Sequence, residues 1–251
     1  MNILCCVKRV PMTGGKIVLT DDAQSLQTRH LGFTISPHEE CGVEEAVRLI
    51  EANGGASTVL TLGPPEAEEQ IRDCMAIGAD RGILLQADGE EWDAQATAAA
   101  IVDAIRADGN DFDLILFGNE SADAGNYQVG IRVAYALGQP VVNGLKGIAV
   151  QGSEVRCERE APGGRDVYVV PLPAVLTVLE GLNLPRYPSV PGRLRAKSKP
   201  LQVVTPARPD SRLEKLRLRL PPGSGKSAEV LGEGAAAAPR VVEVLLGLGV
   251  A

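Results

Sequence analysis

The chain has 251 residues and a net charge of −7; its hydrophobic fraction is 45%, while aromatic residues make up only 3% of the sequence. That length suits one large α/β domain, or a domain with an appended arm, with a core built from aliphatic residues and alanine. The acidic balance argues against non-specific nucleic-acid binding, which needs clustered basic charge, and no run of about 18 uncharged apolar residues is present to span a membrane.

The opening MNILCCVKRV is a short apolar run ended by Lys8 and Arg9. Without a basic leading segment or a cleavage site it reads as a first strand over 2–7, not a signal peptide. Residues 11–32 are polar and Gly-containing, with a small hydrophobic run at 17–19, and read as a long loop carrying at most a hairpin. Ser36-Pro37 opens a helix whose Val43, Ala46, Val47 and Ile50 face inward, with Glu44, Glu45, Arg48 and Glu51 expected outside, and Asn53-Gly54-Gly55 stops it. Residues 57–62 form the next strand. Gly63-Pro64 turns into a helix with Ala67, Ile71, Cys74 and Met75 on one side; Gly78 ends it and 81–85 is a strand. Asp93 is placed to cap a helix that turns Ala94, Ala98, Ile101, Val102 and Ile105 inward.

The most informative stretch runs from 113 to 137. Residues 114–117 suit a strand buried on both faces. The loop 118–126 holds two glycines, two asparagines, Ser121 and Asp123, and Val129, Val133, Ala136 and Leu137 then recur on one helical face. A loop between the end of a parallel strand and a helix N-terminus offers free N–H groups and the positive end of a dipole, which is a physical site for phosphate.

Strand and helix alternate to this point with short connections, which specifies a parallel sheet covered by helices on both faces. Ligands in such sheets sit beyond the carboxyl ends of strands where the strand order switches, so the loops after Val7, Leu62 and Phe117 are the ones expected to meet. After a strand starting at 140–142, the runs 148–151, 154–159 and 165–170 read as antiparallel hairpins, and 172–179 returns to the core. Residues 181–200 carry four prolines and five basic residues. That density of proline argues for a stiff, exposed, non-helical segment with Tyr187, Val190 and Leu194 accessible, either a linker or a docking loop. Beyond 201, residues 208–219 alternate charge with leucine, 221–238 are rich in Gly, Ala, Pro and Ser, and Val241, Val242, Leu245 and Leu246 make a short apolar helix that must bury itself on this domain or on a partner.

The five cysteines, Cys5, Cys6, Cys41, Cys74 and Cys157, contain no CxxC pair, and His30 and His38 are the only histidines. Neither a disulfide framework nor a metal site is expected; buried free thiols in a reducing cytoplasm are. No lysine of the phosphate-loop type follows Gly118, which argues against a nucleotide hydrolase.

Several segments, in this order, resemble the β subunits of the electron-transfer flavoproteins over nearly the whole chain: Lys8-Arg9-Val10, Ser36 through Glu40 with Val43-Glu44-Glu45-Ala46, Gly63-Pro64, and Ala76 with Gly78-Ala79-Asp80-Arg81. Further on come Ser121-Ala122-Asp123 with Gln128-Val129-Gly130, then Leu172-Pro173-Ala174-Val175, Leu182-Asn183, Pro185-Arg186-Tyr187 and Arg195-Ala196-Lys197. The resemblance implies a heterodimer in which an α subunit carries the redox FAD. This subunit would supply a Rossmann-like domain, similar to the adenine-nucleotide α-hydrolases, that binds AMP structurally. It implies two parts: 1–200, including a recognition loop at 181–199, and an arm, 201–251, that embraces the α subunit.

Carried over by position, the AMP pocket comprises Cys6, Ser36, Pro37, His38, Glu39, Leu62, Glu120, Ser121, Ala122, Asp123, Ala124, Gly125, Asn126, Tyr127, Gln128, Val129, Gly130 and Ile131. Asn183, Pro185, Arg186, Tyr187, Val190, Arg195 and Lys197 fall where the family docks flavin-dependent dehydrogenases, with Val190 at its apolar anchor position. Thr13 and Glu160 fall near the flavin or the intersubunit contact. The implied function is to accept electrons from such dehydrogenases and pass them toward the respiratory chain, without catalytic residues of its own. Ser36-Pro37-His38-Glu39 stands where the family has Asn-Pro-Phe/Tyr-Asp, and Asp123-Ala124-Gly125-Asn126 lacks its usual acidic run. The alternative is therefore the electron-bifurcating branch, with a second FAD in this subunit and NADH as donor, although Asn126 does not match the threonine typical there. A stand-alone adenine-nucleotide module resembling universal stress proteins is the third reading.

Overall fold

The structure, a computed structural model, describes residues 1–12, 14, 17–87, 91–222 and 228–250. Its strands are β1 (Asn2–Cys6), β2 (Val10–Pro11), β3 (Phe33–Thr34), β4 (Ala56–Gly63), β5 (Arg81–Gln86), β6 (Leu114–Gly118), β7 (Val141–Gln151), β8 (Glu154–Ala161), β9 (Gly164–Pro171), β10 (Ala174–Val178) and β11 (Leu201–Val204). The helices are α1 (Pro37–Asn53), α2 (Glu68–Ile77), α3 (Ala94–Asp108), α4 (Val129–Leu137), α5 (Val190–Ala196) and α6 (Ala238–Leu248). Among the described residues nine strands form one sheet in the order β11-β5-β4-β1-β6-β10-β7-β8-β9, and β2 pairs with β3 in a separate two-stranded ribbon. From β11 to β7 every pairing is parallel; β7-β8-β9 is antiparallel. This is the expected α/β, Rossmann-like architecture with added hairpins.

Alternation along β1 explains why helices cover both faces. Ile3 and Cys5 pack with Val43 and Ala46 of α1 and Ile71, Cys74 and Met75 of α2. Leu4 and Cys6 point the other way, to Ile101 and Val102 of α3 and Val133 and Ala134 of α4. With few aromatics, α3 approaches the sheet through buried Ala96, Ala98 and Ala100. Its start is set as expected: an Asp93 carboxylate oxygen accepts the Ala96 N–H at 2.7 Å.

Four local expectations are corrected. The runs expected at 140–142 and 148–151 are one strand, β7, whose first half pairs parallel with β10 and second half antiparallel with β8. Gly144, at φ +69°, supplies the irregularity between the halves. Ala136 is exposed, and the inward face of α4 is Gly130, Val133 and Ala134. Residues 190–196, expected to be non-helical, form α5. Pro191 sits in its first turn, where a missing N–H breaks no helical bond, and the Ser189 hydroxyl accepts the Gly192 N–H at 3.1 Å. Finally, Glu44 and Glu45 are buried, because the segment around Asn183 and Arg186 lies across their face of α1.

The far end of that segment is fastened to α2. Arg72 Nη1 donates to the Ala196 and Lys199 carbonyls at 2.8 and 2.7 Å. Lys199 Nζ donates to the carbonyls of Met75, Gly78 and Ala79 at 3.0, 3.3 and 2.6 Å, a cation at the negative end of a helix. A Cβ on Gly192 would lie 2.5 Å from the Ala76 carbonyl oxygen, so only glycine allows α5 this close. Residues 201–204 then add an edge strand beside β5. Past it, the amides of Arg212 and Leu213 donate to the second Asp93 oxygen at 2.9 and 3.2 Å, and Leu218 N–H reaches the Ala23 carbonyl at 2.7 Å. Helix α6 buries none of its residues, and Val241, Val242, Leu246 and Leu248 are exposed. Among the described residues no helix is long and apolar enough to cross a membrane.

Candidate functional site

The strand order turns between β1 and β6: from β1 the chain builds outward to β4 and β5, then returns to place β6 on the other side. The loops after β1, β4 and β6 meet at this point, as the alternation of elements predicts. They enclose a cavity of about 240 Å³. Its apolar side comes from Cys6, Leu62, Trp92, Phe117 and Val129, and its polar side from Lys8, Arg9, Glu39, Glu120 and Ser121.

Helix α4 closes one wall through a glycine. A Cβ at Gly130 would sit 3.0 Å from Thr177 Cγ2 and 3.1 Å from the Phe117 ring, so the first turn of α4 lies directly on the strand ends. Gly130→Ala is expected to push α4 outward and lower stability by about 1–2 kcal/mol through overpacking. A thermal melt unchanged from wild type would contradict that contact. Thr177 also orders the loop after β6: its hydroxyl donates to Asn119 Oδ1 at 2.8 Å and accepts the Gly144 N–H at 3.0 Å.

The ionisable groups of the site form a connected set. Glu39, in the first turn of α1, is buried; one carboxylate oxygen accepts the Lys8 N–H at 2.9 Å and the other the Ser36 N–H at 2.8 Å. Burial pushes its carboxyl up to about 8, against the pull of those two amides. Lys8 Nζ bridges Glu91 at 2.9 Å and Asp123 at 2.7 Å, spanning the loops after β5 and β6. Burial alone would lower the Lys8 ammonium, but the two carboxylates reverse this and hold it above its ordinary value. Burial likewise opposes ionisation of Asp123, and Lys8 outweighs it, keeping that carboxyl below its usual range.

A second, more polar cavity of about 280 Å³ adjoins the first; Glu120 and Ser121 line both. It lies at the N-terminus of α1, where the buried Ser36 hydroxyl accepts the Ala122 N–H at 2.9 Å. His38 Nδ1 accepts the Glu180 N–H at 2.6 Å, which puts the imidazole proton on Nε2, 3.5 Å from Glu120. Four amides of the loop after β6 are already engaged: those of Asn119, Ala122, Ala124 and Gly125 donate to the Val178 carbonyl, Ser36 Oγ, Asp123 Oδ1 and the Ser121 carbonyl.

Of the residues singled out in the sequence, Cys6, Glu39, Leu62, Glu120, Ser121 and the run 126–130 (Asn126 through Gly130) line the first cavity. Ser36, Pro37, His38, Ala122, Asp123, Ala124 and Gly125 line the second, and Ile131 lines neither. Lys8, Arg9, Glu91, Trp92 and Thr177, which also line the first cavity, were not among the residues assigned to the pocket from the sequence. The signal for Glu91 and Trp92 was available: they follow β5, a parallel strand whose carboxyl end opens on the same rim.

The 181–199 segment lies apart from these cavities. Asn183 Nδ2 donates to the Cys41 carbonyl at 3.1 Å and to Glu45 at 2.9 Å, and Arg186 pairs with Glu44 and Glu51. Pro185 is half-buried and Arg195 and Lys197 are exposed. Between the fastened ends Leu184, Tyr187 and Val190 are 90%, 96% and 73% exposed. Glu160 is exposed on β8, 3.7 Å from Lys146, and Thr13 lies outside the described residues.

Residues 25–209 match the family model described as the electron transfer flavoprotein domain. The chain is 36% identical to the electron transfer flavoprotein subunit beta of Syntrophomonas wolfei, over 97% of this chain and 95% of that protein. With the subunit of the same name from Bacillus subtilis it shares 32% identity over 98% and 97%. It is also 31% identical to the caffeyl-CoA reductase-Etf complex subunit CarD of Acetobacterium woodii, over 81% of this chain and 78% of that one.

Proposed function

The chain belongs to the electron transfer flavoprotein family, among its β subunits, and from that premise we propose that it is the non-catalytic half of an electron-carrying heterodimer that holds AMP in the cavity between β1, β4 and β6. Membership implies an α-subunit partner. In this reading the redox FAD belongs to that partner and supplies the electron-accepting chemistry. This chain's residues bind, orient and dock.

The observation that carries the nucleotide assignment is the two-sided cavity at the switch point. Leu62, Trp92, Phe117 and Val129 offer an apolar slot for a purine, and the rim at Lys8, Arg9 and Ser121 is polar. Glu39 fixes the main chain at Lys8 and Ser36 and so sets the spacing of the rim. The unpaired, buried thiols suit work in the cytoplasm, where they stay reduced. Arm residues 201–251 reach the α subunit in this reading, and the exposed apolar stripe of α6 is the surface that needs it. Thr13 and Glu160 would lie at the flavin or intersubunit contact.

Denaturing the purified heterodimer and weighing the released nucleotides tests the assignment. One AMP and one FAD per heterodimer are expected, and a heterodimer that releases no AMP removes the reading. A second reading, FAD in place of AMP here with NADH as donor, is favoured by the adjoining cavity, which gives room beyond a mononucleotide; two FAD per heterodimer, one bleached by NADH, would select it.

The segment 183–197 is the docking surface for flavin-dependent dehydrogenases in this reading, from which electrons pass on toward the respiratory chain. Exposed apolar side chains on a fastened support lose little freedom on binding. Val190→Ala is expected to raise the KM of the heterodimer as acceptor for its partner flavin-dependent dehydrogenase by about 5- to 10-fold, the loss of an interfacial anchor of about 1 kcal/mol, with flavin content unchanged. Equal KM values would remove the docking role.

A further inference from the structure

Two cations follow β1, and they are in different situations. Lys8 is matched twice, by Glu91 and Asp123. Arg9 lines the same cavity, yet among the described residues no carboxylate pairs with it, and its Nε is buried without a hydrogen-bond acceptor. Its guanidinium carbon lies 3.3 Å from the centroid of the Phe33 ring. The small ribbon explains how the ring comes to be there. Arg9 immediately precedes β2, Pro11 of β2 is registered opposite Phe33 of β3, and Met12 N–H closes the ribbon onto the Gly32 carbonyl at 2.9 Å. The Phe33 carbonyl is in turn held by Gln70 Nε2 of α2 at 3.4 Å.

A buried donor without an acceptor is unfavourable, and a cation without a counter-charge beside a cavity more so. Stacking on an aromatic face holds a guanidinium in one plane while leaving its edge donors open to a planar or tetrahedral oxyanion. In the loop after β6 the amides of Asn119, Ala122, Ala124 and Gly125 are engaged within the protein, which leaves the amides at the N-terminus of α4 as the other donors on this rim. The geometry points to Arg9, pre-oriented on Phe33, as the side chain that recognises the phosphate of the adenylate in this cavity and makes the site select nucleotides over nucleosides. This inference rests on the nucleotide reading above. A monophosphate and the pyrophosphate of FAD present the same chemistry to it. Phe33 is a positioning residue, acting through Arg9.

The test is titration calorimetry of the purified αβ heterodimer, freed of bound nucleotide, with adenosine, AMP and FAD. A charge-assisted, forked contact is expected to make AMP bind about 10- to 100-fold more tightly than adenosine in the wild type. Arg9→Met keeps the stem and removes the fork. It should bring AMP to within about 3-fold of adenosine, leave adenosine affinity where it was, and flatten the salt dependence of AMP binding. Phe33→Leu should reduce the AMP-to-adenosine ratio by a smaller factor, and it carries the test if Arg9→Met does not fold. If FAD is the tighter ligand, its affinity should fall in Arg9→Met by the same factor as that of AMP. A wild type that binds none of the three removes the nucleotide reading. A wild type that prefers AMP, with the same preference in both variants, leaves that reading standing and overturns the role of Arg9.

Discussion

Replacing Arg186 with alanine is expected to lower the unfolding free energy by about 3 kcal/mol, at the lower end for breaking a buried ion pair because the arginine itself is only two-thirds covered. Arg186 Nε and Nη2 donate to the two Glu44 oxygens at 2.9 and 3.0 Å, and its main-chain N–H adds a contact to Glu44 at 3.2 Å. Its Nη1 and Nη2 also reach Glu51 at 2.7 and 3.0 Å. Glu44 is 4% exposed, so without the guanidinium its carboxylate stays beneath the loop with no counter-charge. Glu51 is exposed, and Glu51→Ala should change stability by less than about 1 kcal/mol. Urea unfolding of the two variants checks the difference, and hydrogen exchange should speed up at 183–187 in Arg186→Ala alone. If both variants unfold at the same urea concentration, Glu44 is not held by Arg186 as described.

Raising the pH from 5 to 8 is expected to weaken the folded state through Glu39, by on the order of 4 kcal/mol in the limit where no other group compensates. Below its ordinary value of 4.5 this carboxyl is neutral in both folded and unfolded chains. Between 4.5 and about 8 the unfolded chain gives up the proton and the folded chain keeps it. The folded state then binds more protons, so stability falls as pH rises through this window and levels off above it. Glu39→Gln removes the titration while retaining one acceptor for the amides of Lys8 and Ser36. The stability difference between wild type and Glu39→Gln should therefore shift steadily in favour of the variant from pH 5 to 8. A difference independent of pH across that window would place the carboxyl in water rather than under the rim.

The layers and the switch point were legible because they follow from patterns with one physical reading. Unbroken apolar runs at 3–7 and 114–117 must be covered on both faces, and alternation with helices of short connection forces parallel pairing. The loops after Val7, Leu62 and Phe117 met where the strand order turns for the same reason. What was not legible depended on contacts distant in sequence. Glu44 and Glu45 look like solvent-facing positions of an amphipathic helix until a segment about 140 residues away brings Arg186 and Asn183 onto them. The helix at 190–196 was hidden by proline density, although Pro191 falls at the one place in a helix that tolerates it. In the site, Lys8 and Arg9 gave no sign that one would be matched by two carboxylates and the other stacked on an aromatic ring, since that depends on Glu91, Asp123 and Phe33 arriving from three other segments.

The fastening of 181–199 at both banks has a consequence for how the surface can change. One abutment is Arg186 on α1; the other is Lys199 on the end of α2, with Gly192 seated against Ala76 between them. The side chains at 184, 187, 190 and 194 are 62% to 96% exposed, so their chemistry can be swapped like a cassette with little disturbance of the masonry beneath. Under the docking role proposed above, retargeting the protein to a new electron donor would be a matter of rewriting those four outward positions while leaving the three footings alone.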